Sequence, residues 1–221
     1  MKIAIDGPAG AGKSSVARAV ADLLGFLYVD TGALYRAAAL YAIRKGANPG
    51  DAEQMLPLLA EMKPELCYRN GEQCVLLDGE DVSSLIRTEE VSAGASAISA
   101  IPKVREFLFH LQRDIAEKND VVMDGRDIGT VVLPDAEIKI FLTAEPEIRA
   151  KRRMLQLAEK GVYSEYEDVL ADIRRRDWND SHRAAAPLQI ADGAVLLDSS
   201  FLSEKETALR VVEMIRKAAE A

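Results

Sequence analysis

Gly7-Pro8-Ala9-Gly10-Ala11-Gly12-Lys13-Ser14 spells out G-x-x-x-x-G-K-[ST], with Ser15 directly behind it. Residue types at this spacing bind phosphate: the glycines let the backbone curl until successive N–H groups face phosphate oxygens, and a helix starting at the lysine adds its positive end. Lys13 is placed to neutralise the β- and γ-phosphates of a nucleotide, and Ser14 to coordinate a Mg²⁺ that bridges them. Kinases, GTPases and motor-type ATPases all use such a loop. A GTPase usually reads its base through N-K-x-D; that run is absent, and Glu117-Lys118-Asn119-Asp120 shares only its letters.

Two further clusters carry chemistry. Asp30-Thr31-Gly32-Ala33-Leu34-Tyr35-Arg36 offers a guanidinium, Arg36, suited to a bidentate grip on an acceptor phosphate, and a flat ring, Tyr35, suited to a base or sugar. The same residues also read as an ordinary helix start capped by Thr31, with Tyr35 buried and Arg36 solvated. In Asp124-Gly125-Arg126-Asp127, Asp124 stands where phosphate-loop enzymes often place an acid near Mg²⁺ or its waters. Arg126 can bind phosphate and Asp127 can accept from an exocyclic amine. A turn closed by a local ion pair is the plainer reading.

The elements that must position these clusters alternate. Short apolar runs at residues 2–6, 27–30, 121–124, 139–142 and 194–198 read as strands. Helical patterns occupy 13–24, 34–45, 102–118, 146–159, 165–176 and 203–219, with Pro102 and Pro146 in first turns. This is the signature of a parallel sheet covered on both faces, and all three clusters fall at carboxyl ends of strands, where such sheets bind ligands. Residues 47–100 break the alternation and read as an inserted α+β subdomain. Within it, Asn70-Gly71 suits a two-residue hairpin turn that sets Arg69 against Glu72 and Cys67 against Cys74. The two cysteines are expected as reduced thiols.

The 221 residues carry a net charge of -8, which argues against a general binder of nucleic acid or anionic membrane. No run approaches a membrane span, no secretion signal is readable, and the two histidines and two cysteines lack zinc-site spacing, so the cytoplasm is the expected compartment; a monomer is expected as well. Arginines nevertheless crowd at Arg149, Arg152 and Arg153, and again at Arg174, Arg175, Arg176 and Arg183.

Together these motifs, with Arg176-Asp177 through Asp180 and Arg183-Ala184-Ala185-Ala186-Pro187-Leu188, resemble the cytidylate kinases of bacterial type, within the nucleoside monophosphate kinases. The resemblance covers essentially the whole chain, including the insert with Gly79-Glu80-Asp81-Val82 and Ile86-Arg87-Thr88-Glu89. It implies an α/β fold of the P-loop NTPase, adenylate-kinase-like type: a five-stranded parallel sheet with helices on both faces. The implied partition is a single domain with a core of residues 1–30, 101–150 and 164–221, an NMP-binding region with the insert at 31–100, and a short lid at 151–163. The activity it implies is transfer of the γ-phosphate of ATP, with Mg²⁺, to CMP and dCMP. ATP would lie on residues 7–15 with Arg149 and Arg153 closing from the lid. The acceptor would be held by Thr31, Tyr35, Arg36 and Arg126, with Ser96, Arg105 and Asp127 reading cytosine. Arg176, Asp180 and Arg183 would take the sugar hydroxyls and the transferring phosphate, so that Lys13, Arg126, Arg176 and Arg183 stabilise the charge in flight. Thr31 stands where some relatives carry serine, which keeps the hydroxyl and adds a methyl group.

Overall fold

The computed structural model describes residues 1–69, 72–159 and 161–219. The chain opens with β1 (Lys2–Asp6), α1 (Lys13–Leu24) and β2 (Leu27–Asp30). Next come α2 (Thr31–Arg44), α3 (Ala52–Leu59), β3 (Pro64–Arg69), β4 (Glu72–Leu77), β5 (Glu80–Asp81), a short helical turn at Leu85–Arg87, α4 (Glu89–Ile98) and α5 (Pro102–Lys118). Then follow β6 (Val121–Gly125), a π-helical turn (Ile128–Val132), β7 (Ile138–Thr143), α6 (Pro146–Glu159), α7 (Tyr166–His182), β8 (Val195–Asp198) and α8 (Glu204–Ala219). The chain forms two compact units, Met1–Tyr28 with Asn119–Ala221, and Val29–Lys118, so α5 packs with the insert rather than with the strand-bearing core.

The five-stranded sheet runs in the order β2-β6-β1-β7-β8. β1 pairs in parallel with β6 and β7, and β7 with β8; Asp6 lies opposite Gly125 and Phe141, and Thr143 opposite Asp198, which aligns the carboxyl ends. Strands this apolar form because both faces are covered: on one, Ile3, Ile5, Val122, Ile140 and Leu142 pack with Val16, Val20 and Ala21 of α1 and with Val211, Val212 and Ile215 of α8, while Ala4, Val121 and Met123, which point the other way, are fully buried too. Each such side chain contributes about 1.5–3 kcal/mol on burial. The predicted strands and the fold class are observed, with end shifts of one residue at β6, β7 and β8.

The second unit packs α2 to α5 around the antiparallel sheet β3-β4-β5. Its centre is α2, whose Ala37, Ala38, Ala39 and Ala42 are fully buried. Small residues on both sides let α4 come close: a Cβ added at Gly94 would lie 3.2 Å from that of Ala39. Cys67 and Cys74 are cross-strand partners and both are free thiols, while the turn residues Asn70 and Gly71 lie outside the described residues.

Two helices differ from expectation by more than one residue. α2 starts at Thr31, and its cap is Asp30, whose carboxylate accepts from the Ala33 N–H at 3.0 Å. The cap is therefore not Thr31: the carboxylate one residue earlier meets the free N–H groups first and adds charge stabilisation. α7 continues past Arg176 to His182, since no glycine or proline interrupts it before Pro187. That extension sets Arg176 and Asp180 one turn apart.

Gly7 is the residue on which the loop's geometry turns. Its φ is +149°, and an added Cβ would lie 1.9 Å from the Leu142 carbonyl oxygen of the neighbouring strand. Gly7→Ala is expected to lower unfolding free energy by about 1–3 kcal/mol from conformational strain alone, with the steric overlap adding to it. Urea titration checks this; an alanine variant as stable as the wild type would show that the strand and loop can separate without loss.

Candidate functional site

In the first unit the phosphate loop bridges β1 and α1. Lys13 is 5% exposed, and its ammonium donates to the Pro8 carbonyl at 2.8 Å. Burial pushes its pKa down to about 7, the Arg126 cation pushes the same way, and Asp124, Asp180 and Asp6 pull back. The Ser14 hydroxyl donates to Asp124 Oδ2 at 3.0 Å and the Tyr28 hydroxyl to Oδ1 at 2.9 Å, so both oxygens of this β6 carboxylate are oriented. A hydroxyl beside a buried carboxylate is an oxygen donor set that suits Mg²⁺.

Beyond β6 the chain makes an ion-pair lattice with α7. Arg126 Nε donates to Asp180 Oδ2 at 2.7 Å. Burial works against the Arg126 charge, but Asp180 and then Asp124 outweigh it and raise its pKa further. The plainer reading of Asp124–Asp127 as a turn with a local ion pair does not describe the site: the partner is 54 residues away. Asp127 is buried, with Arg183 Nη2 3.6 Å from its Oδ1. Arg183 Nε is held by the Ala186 carbonyl at 2.8 Å, and Leu188 N–H donates to the Asp180 carbonyl at 2.7 Å, so the segment after α7 folds back on the helix. Arg176 Nε lies 2.8 Å from Asp172.

The arginines of α6 diverge in environment. Arg149 is buried, bonded to Ala144, Ala9 and Asp177. Arg152 donates to the Ser199 and Leu202 carbonyls and so anchors the loop after β8. Arg153 is half-buried; burial and then the nearby Arg176 cation lower its pKa, against the pull of Asp172. Two cations held this close favour an anion beside them.

In the second unit, Arg36 Nη2 donates to Asp30 Oδ2 at 2.7 Å, and its Nε is buried with no hydrogen-bond partner among the described residues. Thr31 is buried and Tyr35 partly so, with the Arg105 guanidinium 5.7 Å from the Tyr35 ring centre. Arg105 Nη1 also donates to the Ser99 carbonyl at 3.3 Å, and the Ser99 hydroxyl to that of Ser96 at 2.8 Å. Arg105 thus stands over Tyr35, Ser96 is linked to it through Ser99, and Arg36 is aimed by Asp30.

Several residues that build these arrangements have no role in the sequence reading. Asp6 accepts from the N–H groups of Ile128 and Gly129 at 2.8 and 2.7 Å. Its signal was a carboxylate ending an apolar strand directly before the loop. Asp177 stands inside the quoted Arg176–Asp180 motif, and its partner Arg149 could not be read from the sequence. Tyr28 carries no signal at all. Among the described residues no helix is long and apolar enough to cross a membrane, and no group of three acidic, histidine or cysteine side chains is arranged to hold a metal.

The solved shikimate kinase of Bacteroides thetaiotaomicron superposes with a TM-score of 0.50 at 14% identity, over 100% of this chain and 99% of that one, which is a likeness of fold. The family described as Cytidylate kinase matches residues 3–217. A curated cytidylate kinase of Caldanaerobacter subterraneus is 52% identical over 98% of this chain and 95% of its own length. One from Mycobacterium leprae is 49% identical over 97% and 95%. With matches of that depth over nearly the whole length of a chain whose sheet sets the phosphate loop beside Asp124 and whose α7 brings Asp180 to Arg126, this chain belongs to the cytidylate kinase family.

Proposed function

We propose that the protein transfers the γ-phosphate of ATP to CMP, giving ADP and CDP, and that it accepts dCMP as well. The observation that carries this reading is the concentration of buried charge around the phosphate loop. Lys13 loses part of its hold on a proton to burial and to Arg126, and the polyanion of a nucleotide reverses both effects. Gly7 to Ser15 cradle the donor phosphates, with Arg153 as a further cation. For the acceptor, the second unit offers Thr31, Tyr35, Arg36, Ser96 and Arg105, and the buried Arg36 Nε is a donor that a phosphate oxygen satisfies. The first offers Arg126, Asp127, Arg176, Asp180 and Arg183.

A phosphate oxygen of CMP attacks the γ-phosphorus, and the bond to the β-phosphate oxygen of ATP breaks. The acceptor is already an anion, so no general base is needed, and catalysis rests on alignment and charge. Lys13, Arg126, Arg176 and Arg183 neutralise charge on the moving group. Ser14, and Asp124 through water, would hold Mg²⁺, which would supply further positive charge to the phosphates. Asp180 takes a ribose hydroxyl. Asp127 accepts from the cytosine amine, and uracil would turn a carbonyl toward that carboxylate, leaving two buried acceptors face to face.

ADP release from Mg-ATP with CMP, dCMP, UMP, AMP and GMP as separate acceptors tests this. Turnover with CMP and dCMP is expected to exceed that with UMP by at least about 10²-fold, and to vanish in Lys13→Ala. Asp127→Asn, which can donate to a carbonyl, is expected to narrow the CMP-to-UMP ratio. A wild type preferring another acceptor would refute the base-reading roles, and ATP binding without transfer to any acceptor would make the chain a binding module.

Lys13 also predicts a pH signature. Its pKa falls from 10.5 to about 7 on folding, so its share of stability is present above 10.5 and lost as pH falls through about 7. Triphosphate favours the charged form, so ATP binding between those values takes up a proton. Calorimetric titration of ATP at pH 8 in two buffers of different ionisation enthalpy should show that uptake, and Lys13→Ala should abolish it. Equal heats in both buffers with the wild type would mean the lysine is already charged.

A further inference from the structure

Arg149 makes four hydrogen bonds to three separate segments of the first unit. Nε donates to the Ala144 carbonyl at the end of β7 at 2.8 Å, and Nη1 to the Ala9 carbonyl of the phosphate loop at 3.0 Å. Nη1 and Nη2 then grip both oxygens of Asp177 on α7, at 2.9 and 2.6 Å. The side chain is 3% exposed and that of Asp177 27%, so the pair is largely shielded. Gly10 rests directly on it: an added Cβ there would stand 3.3 Å from the Arg149 Cβ. The fork is committed to protein oxygens on both of its edges, and its place is beneath the loop.

Asp177 follows Arg176 directly and precedes Asp180 by three residues on the same helix. Whatever fixes Asp177 against Ala9 therefore fixes Arg176 and Asp180 against the donor phosphates. We propose that Arg149 is a positioning residue: with Asp177 it sets the register of α7 against the phosphate loop, and it is not itself a ligand of ATP. This rests on the kinase reading above, since Arg176 and Asp180 matter only if a phosphoryl group passes near them. A planar fork that reaches a carbonyl and a carboxylate together is a geometric requirement; a lysine keeps the charge but not the two-point grip. Small displacements of groups that must be aligned for in-line transfer are costly in rate.

The experiment is a double-mutant cycle of Arg149→Lys and Asp177→Asn in the full chain, reading kcat and the KM values for Mg-ATP and CMP. Rates are normalised to the ATP-binding stoichiometry of each preparation, and folding is followed by thermal melting. Each single variant is expected to lose on the order of 10²-fold in kcat with little change in KM for ATP, and the double variant to lose no more than the worse single. A rise in KM for ATP in Arg149→Lys alone, with Asp177→Asn at wild-type rate, would make Arg149 a phosphate ligand and overturn the proposal. So would multiplicative losses in the double variant. Losses that disappear on normalisation would reduce the pair to a fold contact and overturn it too. Should Arg149→Lys fail to fold, Asp177→Asn carries the test, because it leaves the arginine bonded to Ala9 and Ala144: a wild-type kcat refutes the proposal and a selective kcat loss supports it. A wild type that does not phosphorylate CMP defeats the functional reading and this proposal with it, whereas a fully active wild type with unimpaired variants defeats this proposal alone.

Discussion

The carboxylate of Asp6 closes β1, accepts two backbone N–H groups from the segment after β6, and thereby holds the start of the phosphate loop and the Arg126–Asp127 segment in one frame. Burial drives its pKa up to about 6 from 3.8, the two N–H bonds work against that rise, Asp127 adds to it and Lys13 opposes it. Its contribution to stability is complete below 3.8 and lost as pH rises through about 6, so at neutral pH the fold carries an ionised Asp6 at a cost. The cost is tolerable because the donors are fixed main-chain groups that need no reorganisation. The constraint also explains the π-helical turn at Ile128–Val132. The carboxylate takes the N–H groups of Ile128 and Gly129, and Val131 and Val132 both turn their own toward the Asp127 carbonyl, a pattern wider than an α-helix provides.

The same logic governs the rest of the first unit. Four cations near the loop have an oxygen partner that sets their direction: Pro8 for Lys13, Asp180 for Arg126, Ala186 for Arg183, Asp177 for Arg149. Exposed pairs of this kind would be worth little, but here the groups are buried or half-buried and their orientation is specified by the low-dielectric surroundings. Charge that is already oriented does not have to be organised when phosphate arrives.

Local pattern was enough for much of this. Apolar runs that end in aspartate fixed β1, β2 and β6 to within a residue, because fully buried parallel strands leave no choice of face. The Asn70-Gly71 dipeptide set the register of β3 on β4 correctly, since a two-residue turn determines every pair that follows. What could not be read is long-range. Arg149 looks like any cation of a helix rich in arginine, and only the fold brings Asp177 and Ala9 to it. Tyr28 is one aromatic in a strand, and its hydroxyl acquires meaning from Asp124, which lies 96 residues on. The helical pattern placed the start of α2 at Leu34, three residues late, and the alternative of a Thr31 cap missed by one: Asp30 and Thr31 are both good caps, and the outcome depends on where β2 releases the chain.

A reaction without a general base places its demands on distance alone. The acceptor oxygen, the γ-phosphorus and the leaving oxygen must fall on a line, and the cations must sit where charge accumulates. A chain meeting that demand has reason to commit buried hydrogen bonds to main-chain carbonyls of the loop, as Arg149 does at Ala9 and Lys13 at Pro8, and to set Arg176 and Asp180, the proposed acceptor contacts, on one helix. A single helix is a rigid ruler: a contact at Asp177, in the C-terminal half of α7, also bears on the register of Arg176 and Asp180, which lie within one turn of it.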